Sequence, residues 1–212
     1  LIMATYKEIR GTQIEAVATD PSNPVEGQVW YNTTSQSLKG QAATTAGAWA
    51  TGNNMNDSRT SIGGAGVQTS ALGFGGYGDS QGVTESYNGT NWTEVNDLNN
   101  ARVYAAGAGV SNTSALAIGG YATTPRAYTE SWNGTNWTEV NDLNTARFDL
   151  SATGTQTSAI AAGGATPPSP RPTNSEIWNG TNWTNTGTIN SGRSGLTAAG
   201  ADSTSALIFG GT

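Results

Sequence analysis

The chain of 212 residues contains no cysteine and no histidine. Disulfides, thiol nucleophiles, histidine bases and the usual zinc and copper ligands are therefore excluded, and we expect no metal site and no cofactor. Charged residues make up only 11% of the sequence, whereas ordinary globular proteins contain about 25%. The polarity comes instead from Asn, Thr, Ser and Gly, which are typical of turns and of strand faces that meet water.

Positive charge is also scarce, because Lys7 and Lys39 are the only lysines and the formal net charge is −6. Nucleic acids and anionic lipid surfaces both attract basic protein surfaces, so neither is an expected partner. No apolar run is long enough to span a membrane, and the first residues lack the apolar core of a signal peptide. We therefore expect neither membrane insertion nor secretion.

A repeated unit organises the sequence. Residues 129–164 reproduce residues 84–120 almost letter for letter, and a third copy begins at residue 175. A period of about 45 residues, with several short strands in each unit, predicts an all-β fold of the β-propeller type. In each unit a tryptophan precedes an arginine by ten residues, as in Trp49–Arg59, Trp92–Arg102, Trp137–Arg147 and Trp183–Arg193.

These residues resemble the kelch repeat, in which an apolar strand ending in Gly-Gly is followed by Glu, an aromatic residue, Trp and Arg. The resemblance covers the chain from residue 38 onward and implies one four-stranded blade for each repeat. Repeats near residues 28–76, 77–120, 121–164 and 165–212 predict a propeller of four blades. Residues 1–27 would then form an N-terminal arm and linker, and residues 28–212 the propeller.

The two ends of the chain each contain half a blade. When residues 36–40 are laid over residues 85–89, they match a third strand, and residues 48–51 match a fourth. Residues 193–211 supply a first and a second strand. We expect the ends to pair within one chain and close the ring, because open strand edges invite pairing with other molecules. Closure between two or more chains is the alternative.

Each unit contains an Asn-Gly-Thr-Asn hairpin between two aromatic residues. Glycine at the first central position favours a turn centred on Gly-Thr, although an Asn-Gly centre would shift the register by one pair. The Gly-Thr turn places aromatic residues directly opposite each other, in the pairs Tyr87–Trp92, Trp132–Trp137 and Trp178–Trp183.

Glu85, Glu130 and Glu176 recur together with the arginines. Paired carboxylates can perform acid–base catalysis, but an active site is seldom built once in every repeat, so structural ion pairs are the favoured interpretation. The recurring tryptophans are likewise interpreted as packing between blades. An enzyme is the least favoured class of protein. Its acids would have to come from the non-repeated positions Asp79, Asp149 and Asp202.

The loops between the second and third strands differ from unit to unit. Strand alternation places these loops on one face of the propeller, together with the connections between blades. Variable loops on a rigid scaffold often bind ligands, although tolerated drift would give the same variation. The candidate binding residues are Tyr77, Asp79, Tyr121, Arg126, Tyr128, Pro168 and Arg171.

Residues 24–34, followed by Leu38, Lys39 and Trp49, resemble a short module of tail and virion structural proteins of tailed bacteriophages, marine and cyanobacterial phages especially. The resemblance covers about the first quarter of the chain. It implies a non-enzymatic virion protein of a fibre, tail or capsid decoration. Residues 4–27 would hold it to other virion proteins, in an oligomeric arrangement. The alternative is a carbohydrate- or host-receptor-binding module that uses the variable loops.

Two expectations concern local structure near the N-terminus. Residues 28–32 and 36–39 are predicted to form a hairpin around a Thr-Thr-Ser turn. For Tyr6, Ile9, Ile14 and Val17 the periodicity does not decide between a short helix and a strand.

Overall fold

The computed structural model describes residues 14–22, 28–40, 52–168 and 170–212. The chain divides into two compact units, Leu1–Thr51 and Gly52–Thr212. Every helix or strand in the described ranges is a β-strand, seventeen in all, which confirms the all-β class. No described segment is a helix that could cross a membrane.

The first unit contains a small sheet with the strand order β1-β2-β3. Strand β1 runs parallel to β2, and β2 forms an antiparallel hairpin with β3. This hairpin confirms the predicted one, except that Gln36 belongs to the turn, with a φ of 52°. The undecided segment around Val17 is a strand, whereas Tyr6 and Ile9 lie outside the described residues. The strands are β1 (Glu15–Val17), β2 (Val29–Asn32) and β3 (Ser37–Gly40).

One carboxylate links the parts of this sheet. Asp20 accepts hydrogen bonds from the indole of Trp30 at 3.0 Å and from the amide of Asn32 at 2.6 Å, and it forms an ion pair with Lys39 at 2.6 Å. The hydrogen bond from Lys39, followed by those from Trp30 and Asn32, lowers the pKa of Asp20 to about 2. Trp30, Asn32 and Lys39 therefore share one structural centre.

The second unit consists of three four-stranded antiparallel sheets and one two-stranded sheet. Sheet 1 contains β4 (Gly63–Val67), β5 (Ser70–Phe74), β6 (Thr84–Tyr87) and β7 (Trp92–Val95). Sheet 2 contains β8 (Ala106–Ser111), β9 (Ser114–Ile118), β10 (Thr129–Trp132) and β11 (Trp137–Val140). Sheet 3 contains β12 (Ser151–Gly154), β13 (Ala159–Ala162), β14 (Asn174–Trp178) and β15 (Trp183–Thr188). Sheet 4 contains β16 (Leu196–Asp202) and β17 (Ser205–Gly210).

The outer hairpins have the register of a turn centred on Gly-Thr. Asn88 donates its backbone N–H to the carbonyl of Asn91 at 3.2 Å, and Gly89 takes a positive φ of 93°. A residue with a side chain would be strained in this conformation, so glycine fixes the turn. The three aromatic pairs therefore lie directly opposite each other, as predicted, with ring centroids 5.0–5.4 Å apart in Tyr87–Trp92, Trp132–Trp137 and Trp178–Trp183.

Neighbouring sheets meet through their first strands, so that β4 lies beside β8, β8 beside β12 and β12 beside β16. All four strands line one narrow cavity of about 300 Å³. Their small residues permit this approach, because larger side chains would overlap between the strands. The larger apolar residues fill the spaces between sheets, as where Phe74 of sheet 1 packs edge-on against Trp137 of sheet 2 at 5.2 Å.

The predicted closure of the ring is not formed within these sheets. Strand β3 pairs with β2 at the edge of its own sheet, and β17 pairs with β16. Residues 49–51, the other half of the predicted closing hairpin, lie outside the described residues. Closure by the N-terminal strands therefore stays a prediction.

Candidate functional site

The recurring Glu and Arg residues form buried, hydrogen-bonded ion pairs between each sheet and the connection that precedes it. We call each of these ion pairs, with its neighbouring asparagine, a clasp. In sheet 1, Arg59 donates to Glu85 Oε1 at 2.9 Å, and Asn56 donates its backbone and side-chain N–H groups to Glu85 Oε2 at 2.7 and 2.9 Å. Both charged side chains are fully buried. The same arrangement recurs in the pairs Arg102–Glu130 and Arg147–Glu176, with Asn99 and Asn144 in the place of Asn56.

Electrostatics agree with a structural role for these clasps. Burial by itself raises the pKa of Glu85, but the backbone amides of Asn56 and Asp57 and the guanidinium of Arg59 outweigh it, so the net pKa lies below its usual value. Burial lowers the pKa of Arg147, and Glu176 partly offsets that effect. A carboxylate held ionised by several donors is a poor proton donor, so Glu85 suits a structural role better than acid catalysis.

The repeated tryptophans join the sheets in a second way. The indole of Trp137 donates to Thr84 Oγ1 at 3.0 Å, and the indole of Trp183 donates to Thr129 Oγ1 at the same distance. Each of these bonds links the last strand of one sheet to the third strand of the preceding sheet. Trp137 and Trp183 are buried, whereas Trp92 is half-buried and Trp49 lies outside the described residues.

Sheet 4 carries the arginine half of a fourth clasp. Arg193 donates to the carbonyl of Gly210 at 3.1 Å, just as Arg59 donates to Gly75 at 3.0 Å. Within the described ranges, however, neither Arg193 nor Asn190 contacts a carboxylate. Both residues line a cavity of about 550 Å³ beside β17. On that strand Leu207 is 64% exposed and Phe209 47% exposed.

The variable loops and the connections between sheets meet at one end of the second unit, which we call the loop end. Isolated bridges join the residue after each double glycine to the residue after each arginine, in the pairs Thr60–Tyr77, Val103–Tyr121 and Phe148–Ala165. The predicted location of the variable loops beside the connections is therefore confirmed.

A row of residues in a left-handed conformation lies at the loop end, just before the first strand of each sheet. In chain order their φ angles are 57°, 55°, 55° and 65°. The second, third and fourth residues each donate a backbone N–H to the carbonyl of the preceding residue of the row, at 3.0–3.1 Å. For residues with a side chain this conformation costs about 1–2 kcal/mol each. The row consists of Ser61, Tyr104, Asp149 and Gly195.

Four aromatic rings, which we call the aromatic row, contact one another at the loop end. Tyr104 lies 5.7 Å from Tyr77 and 5.8 Å from Phe148, and Phe148 lies 5.0 Å from Tyr121. The rings come from the loops and connections of sheets 1, 2 and 3. Tyr77 is 45% exposed, and the other three are half-buried.

The remaining predicted binding residues surround the aromatic row without forming one cluster with it. Arg126 lies over the ring of Tyr128, 5.4 Å from its centroid, and also donates to Thr123 Oγ1 at 3.3 Å. Arg171 donates to the hydroxyl of Ser194 at 3.0 Å. Asp79 and Pro168 are exposed in their loops, and the peptide bond before Pro168 is cis.

The non-repeated acids do not converge. Asp202 is the last residue of β16, beside the β16–β17 turn, where it accepts hydrogen bonds from Thr204 and Ser205. The side-chain hydrogen bond from Thr204 contributes most to the lowering of its pKa. Asp149 is half-buried at the loop end. No group of three or more acidic side chains in the described part of the chain is arranged to hold a metal ion.

Sequence reasoning overlooked Tyr104 and Phe148. Both lie in the short segment after an arginine, which was read only as the start of an inner strand. The signal was nevertheless present, because the two residues after each arginine differ in every unit while the arginine itself repeats: Thr60-Ser61, Val103-Tyr104, Phe148-Asp149 and Ser194-Gly195.

The sequence matches no model of a known protein family and no curated protein sequence.

Proposed function

We propose that the chain is a non-enzymatic structural protein of a bacteriophage particle that presents a small kelch-like β-propeller. The main support is the phage-like module around Trp30 and Tyr31, which belongs to the first unit. The second unit supplies a rigid scaffold, because its buried clasps repeat from sheet to sheet while its loops differ. The first unit would attach to other virion proteins, and the second would be displayed.

Purified particles test this location. Quantitative mass spectrometry should find the chain at a fixed ratio to the major structural proteins of the particle, and reconstruction of the particle should place it in a fibre, a tail or a capsid decoration. A chain that occurs only in the soluble fraction of infected cells, and not in particles, would contradict the proposal.

The four-bladed form of the propeller is also part of the proposal, and the connection before sheet 1 supports it. Asn53 donates to Asn91 Oδ1 at 2.7 Å, just as Asn96 and Asn141 donate to Asn136 and Asn182 at 2.8 Å. Asn96 and Asn141 each follow the outermost strand of the preceding sheet. Asn53 is therefore placed like a residue that directly follows the outermost strand of a sheet. In the proposed propeller that further sheet would include residues 49–51.

Sheet 4 offers the matching open positions. Its Asn190 and Arg193 correspond to the residues that bind a glutamate in the other three clasps. The sequence overlay aligns Gln36 with those glutamates. Closure requires strand β3 to exchange its pairing with β2 for pairing with β17 and with residues 49–51, and it requires Gln36 to leave its left-handed turn conformation and become extended. A glutamine lacks the charge that Arg193 would pair with, so the proposed closing clasp is weaker than the other three.

Replacing Gln36 with glutamate is therefore expected to stabilise the protein. A charge-assisted hydrogen bond to Arg193 should add about 1 kcal/mol, which corresponds to a rise of about 2–4 °C in Tm for a chain of this size. Differential scanning calorimetry would measure the change. In an Arg193→Gln background the same substitution should give no gain, and an unchanged Tm for Gln36→Glu alone would count against closure by this segment.

A second candidate function is the binding of a host-surface receptor through the loop end. The aromatic row favours it, because Tyr77 is 45% exposed and continues into three half-buried rings, and apolar surface that reaches solvent on a polar protein often marks a binding surface. The two functions are compatible, since a virion protein can also bind the host.

A further inference from the structure

The loop end carries side chains that the scaffold does not require. Tyr104 adopts a left-handed φ of 55° at a position where the fourth copy of the unit has Gly195. Glycine adopts this conformation without strain, and a bulky aromatic residue rarely does. The backbone alone would favour glycine in every copy. The side chain of Tyr104 therefore has a role of its own, either as a group presented at the surface or through the side chains that it packs against.

Tyr104 lies at the centre of the aromatic row. Its ring contacts Tyr77 from sheet 1 and Phe148 from the connection before sheet 3, and Phe148 contacts Tyr121 from sheet 2. Tyr77 exposes 45% of its surface, so the row is not a closed core. Three of the four rings carry a hydroxyl group. The row thus combines apolar ring surface with polar groups that can donate or accept hydrogen bonds.

Asp149 adds an acceptor beside this row. It follows Phe148 directly, it is half-buried, and in the described part of the chain its carboxylate makes no hydrogen bond or ion pair. Its neighbour in the left-handed row is Gly195, and a Cβ placed on that glycine would lie 3.7 Å from Asp149 Oδ2. The lack of a side chain at position 195 therefore keeps the carboxylate uncovered.

We propose that Tyr77, Tyr104, Tyr121, Phe148 and Asp149 form a binding site for a neutral sugar ring. This inference rests on the receptor-binding candidate of the preceding section and names its ligand class. A sugar ring has an apolar C–H face, which packs on aromatic rings, and hydroxyl groups, which donate to a carboxylate. Apolar surface with a few convergent polar groups is the usual composition of small-ligand sites.

Aromatic rings with a carboxylate can also bind an organic cation. The ring geometry favours the neutral ligand, because the face of an aromatic ring is what attracts a cation. Tyr77 meets Tyr104, and Tyr121 meets Phe148, edge to face with centroids 5.7 and 5.0 Å apart, so neighbouring rings occupy part of these faces. A cationic ligand is therefore kept as an outcome of the test.

The test uses the full chain and three variants on an array of bacterial O-antigen and capsular oligosaccharides, followed by calorimetric titration with the oligosaccharide of highest signal. Tyr104→Gly is expected to reduce the affinity at least tenfold while Tm changes little, because the relief of backbone strain and the loss of two ring contacts oppose each other. Asp149→Asn, which keeps the size of the side chain, should also reduce the affinity. Ser61→Gly is the matched control, since it changes the same kind of left-handed position outside the site, and its affinity should equal that of the wild type.

Three outcomes would overturn the inference. The first is an array without signal, and the second is an equal loss of affinity in Ser61→Gly and Tyr104→Gly. The third is that tetramethylammonium displaces the bound sugar more strongly than the same sugar without a label does. Adsorption of particles to host cells separates the inference from the receptor-binding function. If Tyr104→Gly lowers adsorption but the array is empty, the receptor is not a sugar and the binding function stands. If neither assay responds, both fail.

Discussion

Replacing Gly107 with alanine is expected to prevent sheets 1 and 2 from packing together. A Cβ at position 107 would lie 2.0 Å from the carbonyl oxygen of Gly64 and 2.7 Å from its carbonyl carbon. Both atoms belong to the backbone of a neighbouring inner strand, so neither can rotate away. The two strands would have to separate along their length. We expect a loss of at least about 3 kcal/mol in the free energy of unfolding, or failure to fold.

The matched control is Gly64→Ala on the facing strand. A Cβ at position 64 would have Leu72 O as its nearest neighbour at 3.5 Å, which is an ordinary contact. This variant should stay within about 1 kcal/mol of the wild type. Urea denaturation of both variants measures the difference. Equal stabilities of Gly107→Ala and Gly64→Ala would show that the inner strands are not packed backbone to backbone.

Glu85→Gln is expected to be strongly destabilising, as is the same change in the other two clasps. The carboxylate of Glu85 accepts N–H groups from Asn56, Asp57 and Arg59. Glutamine would turn an NH₂ group toward these donors and leave the buried Arg59 without a counter-charge. Breaking a buried ion pair in this way costs about 3–5 kcal/mol. Glu94→Gln on the adjacent strand, where the side chain is exposed, should cost less than about 0.5 kcal/mol.

The pH dependence provides an independent readout of the same clasp. The pKa of Glu85 lies below its usual value of 4.5 in the folded protein. Its contribution to stability is therefore complete above the usual pKa and is lost as the pH falls through the folded-state pKa. Between about pH 5 and about pH 3, Tm should fall less in Glu85→Gln than in the wild type. Parallel Tm curves for the two proteins would mean that Glu85 does not contribute to acid denaturation.

Repetition and variation have separate locations in this molecule. The clasps around Glu85, Glu130 and Glu176 repeat because each sheet has to be joined to its predecessor by the same backbone geometry. The positions after the arginines do not repeat. In the proposed binding site a ligand that spans several sheets would contact a different residue on each one, and the proposal would account for this variation.

Local structure could largely be predicted from the sequence. The Asn-Gly-Thr-Asn turn has a strong conformational preference, and the aromatic residues on both sides of it fix the register, so the pairing of Tyr87 with Trp92 followed from a short segment. The recurrence of Glu and Arg favoured a structural role for them, but the structure decided the pairing, in which Glu85 is joined to Arg59. The overlay of the chain ends predicted that each unit gives two strands to one sheet and two to the next, as observed for β6 to β9.

Contacts between repeats were decided by the tertiary structure. Tyr77, Tyr104 and Phe148 come from three different units, and no spacing in the sequence relates them. Their contact depends on how closely the inner strands approach, which the backbone contact of Gly64 with Gly107 determines. The parallel pairing of Glu15 with Trp30 was equally unpredictable, because parallel partners are distant along the chain and no turn sets their register.

The sequence by itself thus determined the strands and the hairpins, because short-range turn geometry and strict repetition specify them. Only the tertiary structure decided which aromatic residues contact one another at the loop end. The physical reason is that a repeat specifies contacts that every copy makes, whereas the aromatic row and Asp149 are formed by the positions at which the copies differ.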